Sequence, residues 1–198
     1  KSMNTYNQLL KKANRQMLYE YDNHLEVAAT VTLKTSALIY DKDYYLPRRQ
    51  YLSNPVINST IRYFKAVLTY QLFGNTSKHK NKQDWAKPLI FISIEGLKNH
   101  KRPHLHIALG NIPENKKSSI QQIIEYAWQK CDFGNKQKEI KEIYNARGWI
   151  DYITKEIGVC NNDALDVISS VIPNSIKNLV LQMRISCKYN NLNSHLFR

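Results

Sequence analysis

The clearest pattern of hydrophobic and polar positions in the chain lies between residues 89 and 109. Residues 89–94 are β-branched and aliphatic, whereas residues 104–109 alternate polar and apolar side chains. The turn-forming residues Gly96, Asn99 and Pro103 lie between the two runs. Two such runs joined by turn residues predict a β-hairpin.

Strand-like and helix-like periodicity recurs along the rest of the chain. Strands are predicted over 26–34 and 138–144, helices over 1–24, 56–72, 113–131, 148–157 and 174–187, and surface loops over 41–54 and 74–87. The resulting order, β-α-β-β-α-β-α, predicts an α+β fold with an antiparallel sheet and flanking helices, mainly on one side.

The chain length suits one domain with terminal extensions. Its 198 residues are enough to bury a sizeable core. We therefore divide the chain into an N-terminal helical extension over 1–25, a core over 26–160 and a C-terminal helical extension over 161–198.

Two histidines and a carboxylate meet in the predicted hairpin. Successive strand side chains point to opposite faces, so His104 and His106 share one face while Leu105 and Ile107 share the other. Glu95 closes the first strand, where an antiparallel partner would bring it beside both imidazoles. One carboxylate and two imidazoles suit a Mg²⁺, Mn²⁺ or Zn²⁺ site with open positions for chemistry. The alternative is the polar face of a half-exposed sheet.

A second motif follows in the helix predicted over 148–157. Ile150, Ile153 and Ile157 form an apolar stripe, and Tyr152 and Lys155 are neighbours on one face. A phenol with its usual pKa of about 10 is a poor nucleophile, and a nearby cation favours the phenolate. A tyrosine and a lysine at this spacing also occur on ordinary solvated helix faces.

Taken together, the motifs resemble those of a known enzyme family. In chain order they are Glu95, then His104-Leu105-His106, then Tyr152-Ile153-Thr154-Lys155. This order resembles the HUH endonucleases, in particular the single-tyrosine replication initiator (Rep) class. That family has a metal-binding His-hydrophobic-His strand, commonly with a carboxylate from the neighbouring strand, and a helix bearing Tyr-x-x-Lys. The threonine-containing strand at 28–34 resembles the family's opening motif, and the resemblance covers about 26–158.

The resemblance implies a HUH/Rep nuclease fold with a ferredoxin-like or RRM-like core, and a reaction. Glu95, His104 and His106 would hold a divalent metal, Mg²⁺ or Mn²⁺, that polarises a phosphate of single-stranded DNA. Tyr152 would attack, forming a covalent 5′-phosphotyrosine and freeing a 3′ hydroxyl that primes rolling-circle replication. Lys155 would position metal-bound water or stabilise the pentavalent phosphate.

Partners follow from what the motifs lack. The chain contains no G-x-x-x-x-G-K-[ST] motif, so we expect unwinding by a partner, such as a host helicase, or by a segment missing from this chain, and synthesis by a host polymerase. Tyr144 is a second candidate nucleophile, although it lies outside the predicted helix and lacks the lysine three residues on.

The charge of the chain favours a nucleic-acid partner. A net charge of +13 and a pI near 9.6 indicate a polyanion, here single-stranded DNA or an origin hairpin. Aromatic and basic residues supply stacking and phosphate contacts, and the DNA-binding candidates are Arg48, Arg49, Tyr51, Lys98, Lys101 and Arg102. The alternative is that the tyrosines seal the core and the basic groups are merely solvated.

Cysteine usage and hydropathy bear on location. Cys131, Cys160 and Cys187 are scattered, without a Cys-x-x-Cys pair, which fits a reducing compartment. No apolar run approaches the length of a membrane span, and the start does not resemble a signal peptide, so we expect a cytoplasmic protein without a membrane partner.

The sequence is also compatible with two other functions. A transposase or relaxase of the HUH superfamily would use the same chemistry for mobilisation. A non-catalytic nucleic-acid-binding module would have a similar sheet, with His104 and His106 incidental. Metal-dependent formation of a covalent adduct with DNA separates an enzyme from such a module.

Overall fold

The computed structural model describes residues 2–40, 46–78, 85–97 and 101–182, with side chains of the first helix described from Tyr6 onward. Its helices and strands are, in order, α1 (Ser2–Tyr19), β1 (Leu25–Leu33), β2 (Ser36–Ile39), β3 (Arg48–Tyr51), α2 (Asn54–Phe73), β4 (Leu89–Glu95), β5 (His104–Gly110), α3 (Ile120–Gln129), β6 (Gly134–Glu142) and α4 (Ala146–Ile153). Helical backbone recurs over 174–182, where the description ends.

The main sheet has four antiparallel strands in the order β4-β5-β1-β6. The strands β2 and β3 form a separate antiparallel pair. The predicted hairpin is the β4–β5 pair, in which Glu95 lies opposite His104. The α+β prediction, an antiparallel sheet flanked by helices, is therefore confirmed.

Helices cover both faces of the sheet, whereas the sequence pattern predicted them mainly on one side. On one face, alternate residues of β1, β4 and β5 pack against α2 and α3, with the rings of Phe64 and Trp128 edge to face at 5.6 Å. On the other face, Leu89, Phe91 and Ala108 pack against α1, α4 and the 164–180 segment. Because β4 and β5 are apolar on both sides, each side needs a covering layer.

Several element boundaries differ from the prediction, and the first helix, predicted over 1–24, ends at Tyr19. The loop predicted over 41–54 contains β3, because Arg48–Tyr51 pairs with Ser36–Ile39 despite its polar composition. The helix predicted over 113–131 begins as a 3₁₀ helix, Glu114–Ser119, and becomes α-helical at Ile120. The strand predicted over 138–144 is longer and earlier, Gly134–Glu142.

The helix that bears Tyr152 also ends early, at Ile153 instead of Ile157. Thr154 ends it, since its backbone N–H bonds the carbonyls of Ile150 and Tyr152 and its hydroxyl donates to the Ile150 carbonyl at 2.8 Å. Such local hydroxyl bonding competes with regular helix geometry. Lys155 consequently lies in the turn that follows the helix.

The terminal segments contact the sheet and its helices. Leu18 of α1 is buried in one cluster with Ile150 and Ile153 of α4. Near the other end, Ile90 and Val171 exchange backbone hydrogen bonds of 2.8 Å along the free edge of β4. The described parts of both predicted extensions therefore pack on the predicted core. In the described part of the chain, no helix combines the length and apolar character of a membrane span.

Candidate metal centre and tyrosine site

Three potential ligands converge where β4 ends and β5 begins. Glu95 lies directly opposite His104 in the hairpin, and His106 is the next residue of β5 on the same face. Glu95 Oε2 is 3.1 Å from His106 Nε2 and 3.5 Å from His104 Nε2. The side chains of Glu95 and His106 are each 1% exposed, and one ligand atom from each of the three residues lies within 4.8 Å of the others. This cluster can hold a metal ion.

Both imidazole rings are held from their far side. His104 Nδ1–H donates to the carbonyl oxygen of Arg102 at 2.9 Å. His106 Nδ1 and Thr30 Oγ1 are hydrogen bonded at 2.9 Å, because Thr30 is the partner of His106 across the β1–β5 ladder. With Nδ1 engaged in this way, Nε2 of each ring faces Glu95, which is the arrangement common among metal-binding histidines.

A protein cation already contacts two of the ligand atoms. Lys155 Nζ lies 2.6 Å from Glu95 Oε2 and 3.3 Å from His106 Nε2. An ammonium can only donate hydrogen bonds, and here it donates to the Glu95 carboxylate. Lys11 fixes the turn that bears Lys155, because its Nζ donates a hydrogen bond to the Lys155 carbonyl at 2.9 Å. The geometry marks this point as a place that attracts positive charge.

The charges of the cluster follow from its contacts. Burial by itself would raise the pKa of Glu95, but the hydrogen bonds from His104, His106 and Lys155 outweigh it and hold that pKa well below its usual range. The contact with Glu95 raises the pKa of His104, whereas burial lowers the pKa of His106. At neutral pH the cluster therefore contains an ionised carboxylate beside a neutral His106.

The residues present fit a divalent cation. The donor set is one anionic oxygen and two imidazole nitrogens, a combination used by metals that keep coordination positions for chemistry. The second oxygen of Glu95, Oε1, is buried and has no hydrogen-bond partner among the described residues. A metal ion would satisfy that oxygen or its neighbour.

The candidate nucleophile lies beside the cluster. The ring centroids of Tyr152 and His106 are 4.8 Å apart, and Lys155 Nζ is 3.6 Å from the Tyr152 centroid. Trp149, one turn earlier in α4, stacks on Tyr152 at 5.3 Å and meets the His106 ring edge to face at 5.7 Å. With 45% of its surface exposed, Tyr152 is open to a substrate.

Helix α4, which carries Tyr152, is fixed at both ends. Asn145 caps its start by accepting the backbone N–H of Gly148 at 2.9 Å. Further along, Asp151 accepts the Tyr19 hydroxyl at 2.7 Å and pairs with Arg15 at 3.0 Å, both on α1. These contacts set the rotation of α4, so Tyr152 is directed to the sheet face that bears the histidines.

The remaining predicted residues lie around or away from this site. Lys101 and Arg102 are exposed and lie three and two residues before His104, and Arg102 donates to Gln137 Oε1 at 3.3 Å. The three candidates Arg48, Arg49 and Tyr51 are on β3 of the separate β2–β3 pair, with exposed side chains. Lys98 lies outside the described residues.

Tyr144, the second candidate nucleophile, occupies a different setting. It is 91% exposed, and its hydroxyl donates to Glu142 at 3.3 Å. It follows β6 and precedes α4, so it lacks the ring contacts that tie Tyr152 to His106.

Sequence reasoning missed Thr30 and Trp149 as parts of the site. The alternation of β1 already placed Thr30 and Thr32 on one face, but only the β1–β5 register joins Thr30 to His106. Trp149 lies three residues before Tyr152 in α4, a spacing that predicts contact between two rings on a helix.

The molecule is thus an α+β protein with a buried Glu-His-His cluster that can hold a metal ion, beside an accessible tyrosine and a lysine. No protein-family model matches the chain, and no curated protein matches its sequence.

Proposed function

We propose that this protein is a metal-dependent endonuclease and strand transferase that acts on single-stranded DNA, with Tyr152 as its nucleophile. The observation that carries the proposal is the contact of the Tyr152 ring with both the ligand His106 and the Lys155 ammonium. The order of the motifs, which resembles Rep-class HUH endonucleases, supports the same reaction. The cofactor is Mg²⁺ or Mn²⁺, held by Glu95, His104 and His106.

The proposed step is an in-line transesterification. The Tyr152 hydroxyl oxygen forms a bond to phosphorus as the bond from phosphorus to the 3′ oxygen breaks. The tyrosyl proton passes to solvent, and the departing 3′ oxygen takes up a proton to become a hydroxyl. When bound, the divalent cation supplies a Lewis acid that polarises the scissile phosphate. Attack by a 3′ hydroxyl on the phosphotyrosine reverses the reaction and joins strands.

Each neighbouring side chain has a role in this step. Trp149 stacks on Tyr152 and limits the movement of its ring. Lys155 brings a positive charge to the place where negative charge builds on the phosphate. We expect Lys101 and Arg102, which lie three and two residues before His104, to contact the DNA backbone, and Lys98 remains a candidate from the sequence alone. On the separate β2–β3 pair, Arg48, Arg49 and Tyr51 offer a second set of contacts.

The products are compatible with a role in replication. A covalent 5′ end and a free 3′ hydroxyl suit the initiation of rolling-circle replication in the cytoplasm, with a host helicase and polymerase as partners. Mobilisation of DNA by a transposase or relaxase would use the same products.

The test uses a pool of single-stranded oligonucleotides labelled at either end, incubated with the protein and Mn²⁺ or EDTA. If Tyr152 takes the 5′ phosphate, a 3′ label migrates with the protein on a denaturing gel, and a 5′ label is released on a shorter strand. We expect the adduct with Mn²⁺ only, and none from Tyr152→Phe.

Tyr144→Phe is the matched control, because it removes an exposed hydroxyl only eight residues away in the chain. We expect this variant to form the adduct at the wild-type level. An adduct that persists in Tyr152→Phe and vanishes in Tyr144→Phe would transfer the chemistry to Tyr144. Tight binding without any adduct would favour the binding-module alternative.

A further inference from the structure

An open groove of about 930 Å³ lies on the helical layer opposite the metal centre. Its lining comes from α2, the end of α3, the residues just before β4, and Val171. The helices α2 and α3 cover the face of the sheet formed by residues such as Leu105 and Ile107, whereas His104 and His106 are on the other face. The sheet therefore separates this groove from the candidate active site.

Three tyrosine rings line the groove. Tyr63 and Tyr70 are two turns apart on α2, and Tyr126 is on α3. Their exposed fractions are 51%, 44% and 43%, so each ring is anchored on one side and open on the other. Half-exposed aromatic rings on rigid helices are suitable platforms for flat, uncharged ring systems.

The charged side chains described in the groove are all positive. Among the described residues that line it, four are lysines and none is a carboxylate: Lys65, Lys78, Lys87 and Lys130. Two of these lysines lie over groove rings, Lys78 at 4.9 Å from the Tyr70 centroid and Lys130 at 5.0 Å from the Tyr126 centroid. The Lys65 ammonium donates to the Ser169 carbonyl at 2.6 Å, which leaves the other three as the more available cations.

A ring paired with an ammonium matches the two chemical parts of a nucleotide, a base and a phosphate. We propose that this groove, which we call the lysine–tyrosine groove, binds single-stranded nucleic acid through stacking on Tyr63, Tyr70 and Tyr126 and phosphate contacts from Lys78, Lys87 and Lys130. This site is separate from the strand-cleaving site and does not depend on the function proposed for it. It would hold a flanking part of a long strand, or a second strand.

An acidic polypeptide is the other polyanion to consider, and the rings argue against it. Carboxylates alone would use the lysines and leave three half-exposed tyrosines without partners. Bases use both kinds of side chain, since stacking is sequence-tolerant and the backbone supplies one charge per nucleotide.

The experiment measures the anisotropy of a fluorescein-labelled oligothymidylate, in EDTA so that no adduct forms. For the double variant Tyr70→Ala/Tyr126→Ala we expect binding weaker by about tenfold or more, because stacking on an aromatic ring contributes about 1–3 kcal/mol per base. For Lys78→Ala we expect a salt dependence that is shallower by about 0.7 in log K against log salt, the value for one lost phosphate contact.

Matched controls are Tyr6→Ala and Lys12→Ala, which remove exposed side chains of α1, on the other side of the sheet. Tyr70→Phe/Tyr126→Phe keeps both rings and should bind like wild type, which separates stacking from a folding defect. Crosslinking of a strand that contains 5-iodouracil should map to the groove tyrosines.

Three results would overturn the inference. One is a Tyr70→Ala/Tyr126→Ala protein, folded by its melting temperature, that binds oligothymidylate as tightly as the controls. Another is crosslinking only to other surfaces. A third is competition by polyglutamate at the same charge concentration, which would assign the groove to acidic polypeptides. Adduct formation at Tyr152 on a short substrate, measured in parallel, reports on the proposed function separately.

Discussion

The two faces of the sheet differ in what they bury. On the face covered by α2 and α3, alternate strand residues such as Ile92, Leu105 and Ile107 form a continuous apolar core. On the other face, apolar residues at one end of the strands give way to Ser93, Glu95, His104 and His106 at the other end. The same two strands, β4 and β5, supply both sets.

The apolar face contributes mainly to stability, whereas the polar end of the other face carries the groups able to do chemistry. A purely apolar face gains free energy in proportion to the area that it buries. A buried carboxylate costs free energy unless it is paired, and here Lys155 and the two imidazoles compensate its burial. The apolar core does not require this cluster, which can hold a metal ion.

The largest effect is expected from the apolar face. Phe64→Ala removes a fully buried ring that contacts Trp128, and should lower the free energy of unfolding by about 3–5 kcal/mol. Denaturation with urea measures the change. The folded variant should bind Mn²⁺ as wild type does, because the ring lies on the other side of the sheet. If Phe64→Ala also weakened Mn²⁺ binding, the two faces would not have separate roles.

A neighbouring pair of residues on β5 tests the distinction directly. His106→Leu removes a ligand at similar volume and should weaken Mn²⁺ binding by about a hundredfold or more, measured by titration calorimetry. Its control is Ile107→Val, one residue further and on the opposite face, which should cost about 0.5–1.5 kcal/mol of stability and leave Mn²⁺ binding unchanged. Unchanged metal binding in His106→Leu would remove His106 from the site.

The strand pairing of β1 with β5 gives a smaller, sharper test. Thr30→Val removes the hydroxyl bonded to His106 Nδ1 and should weaken metal binding by about tenfold. Thr32→Val is the matched control, since Thr32 is on the same face but its hydroxyl donates to the Gln137 carbonyl at 2.8 Å. If both variants bind metal equally well in calorimetry, the Thr30 hydroxyl does not orient the ligand.

The sequence predicted this site in part, for definite physical reasons. Alternation in β5 and the short hairpin are local patterns, so His104, His106 and Glu95 could be placed together. Thr30 required the register between strands far apart in the chain. Lys155 was expected on a helix face, but Thr154 ends α4 first and the following turn brings the ammonium to Glu95.

The fold was also predicted in part. The sheet, its hairpin and most helices follow from periodicity. The second covering layer did not, because it forms from α1, α4 and the 164–180 segment, whose apolar stripes give no information about which face they cover. The outer strand β3 was missed because Arg48–Tyr51 has exposed, polar side chains and pairs only with β2.

Lys155 and a metal compete for the same carboxylate oxygen. Lys155→Met removes the ammonium 2.6 Å from Glu95 Oε2, so the metal-free protein should lose about 1 kcal/mol of stability, a value reduced for the partial exposure of the lysine. Mn²⁺ should bind severalfold more tightly, while adduct formation falls. Weaker Mn²⁺ binding in calorimetry would instead assign Lys155 to holding the metal.

The smallest effect concerns pH. The pKa of His104 is raised by Glu95, so the stability from that pair is present below about 6.5 and is lost as the pH rises through the raised pKa. A metal ion binds only to neutral imidazoles, so metal binding becomes stronger as the pH rises through the same range. We expect the increase in melting temperature on adding Mn²⁺ to grow with pH. In His104→Gln the increase in melting temperature caused by Mn²⁺ should depend less on pH. The same pH dependence as in the wild-type protein would contradict the assignment of His104 as a metal ligand.

The central claim is that the polar end of the sheet binds a divalent cation next to Tyr152. Anomalous diffraction from crystals grown with Mn²⁺ tests it most directly. The account predicts a peak in contact with Glu95, His104 and His106, with the Lys155 ammonium moved away from Glu95 Oε2. The account would be contradicted if the crystals showed no manganese peak at this site and the Lys155 ammonium still in contact with Glu95 Oε2.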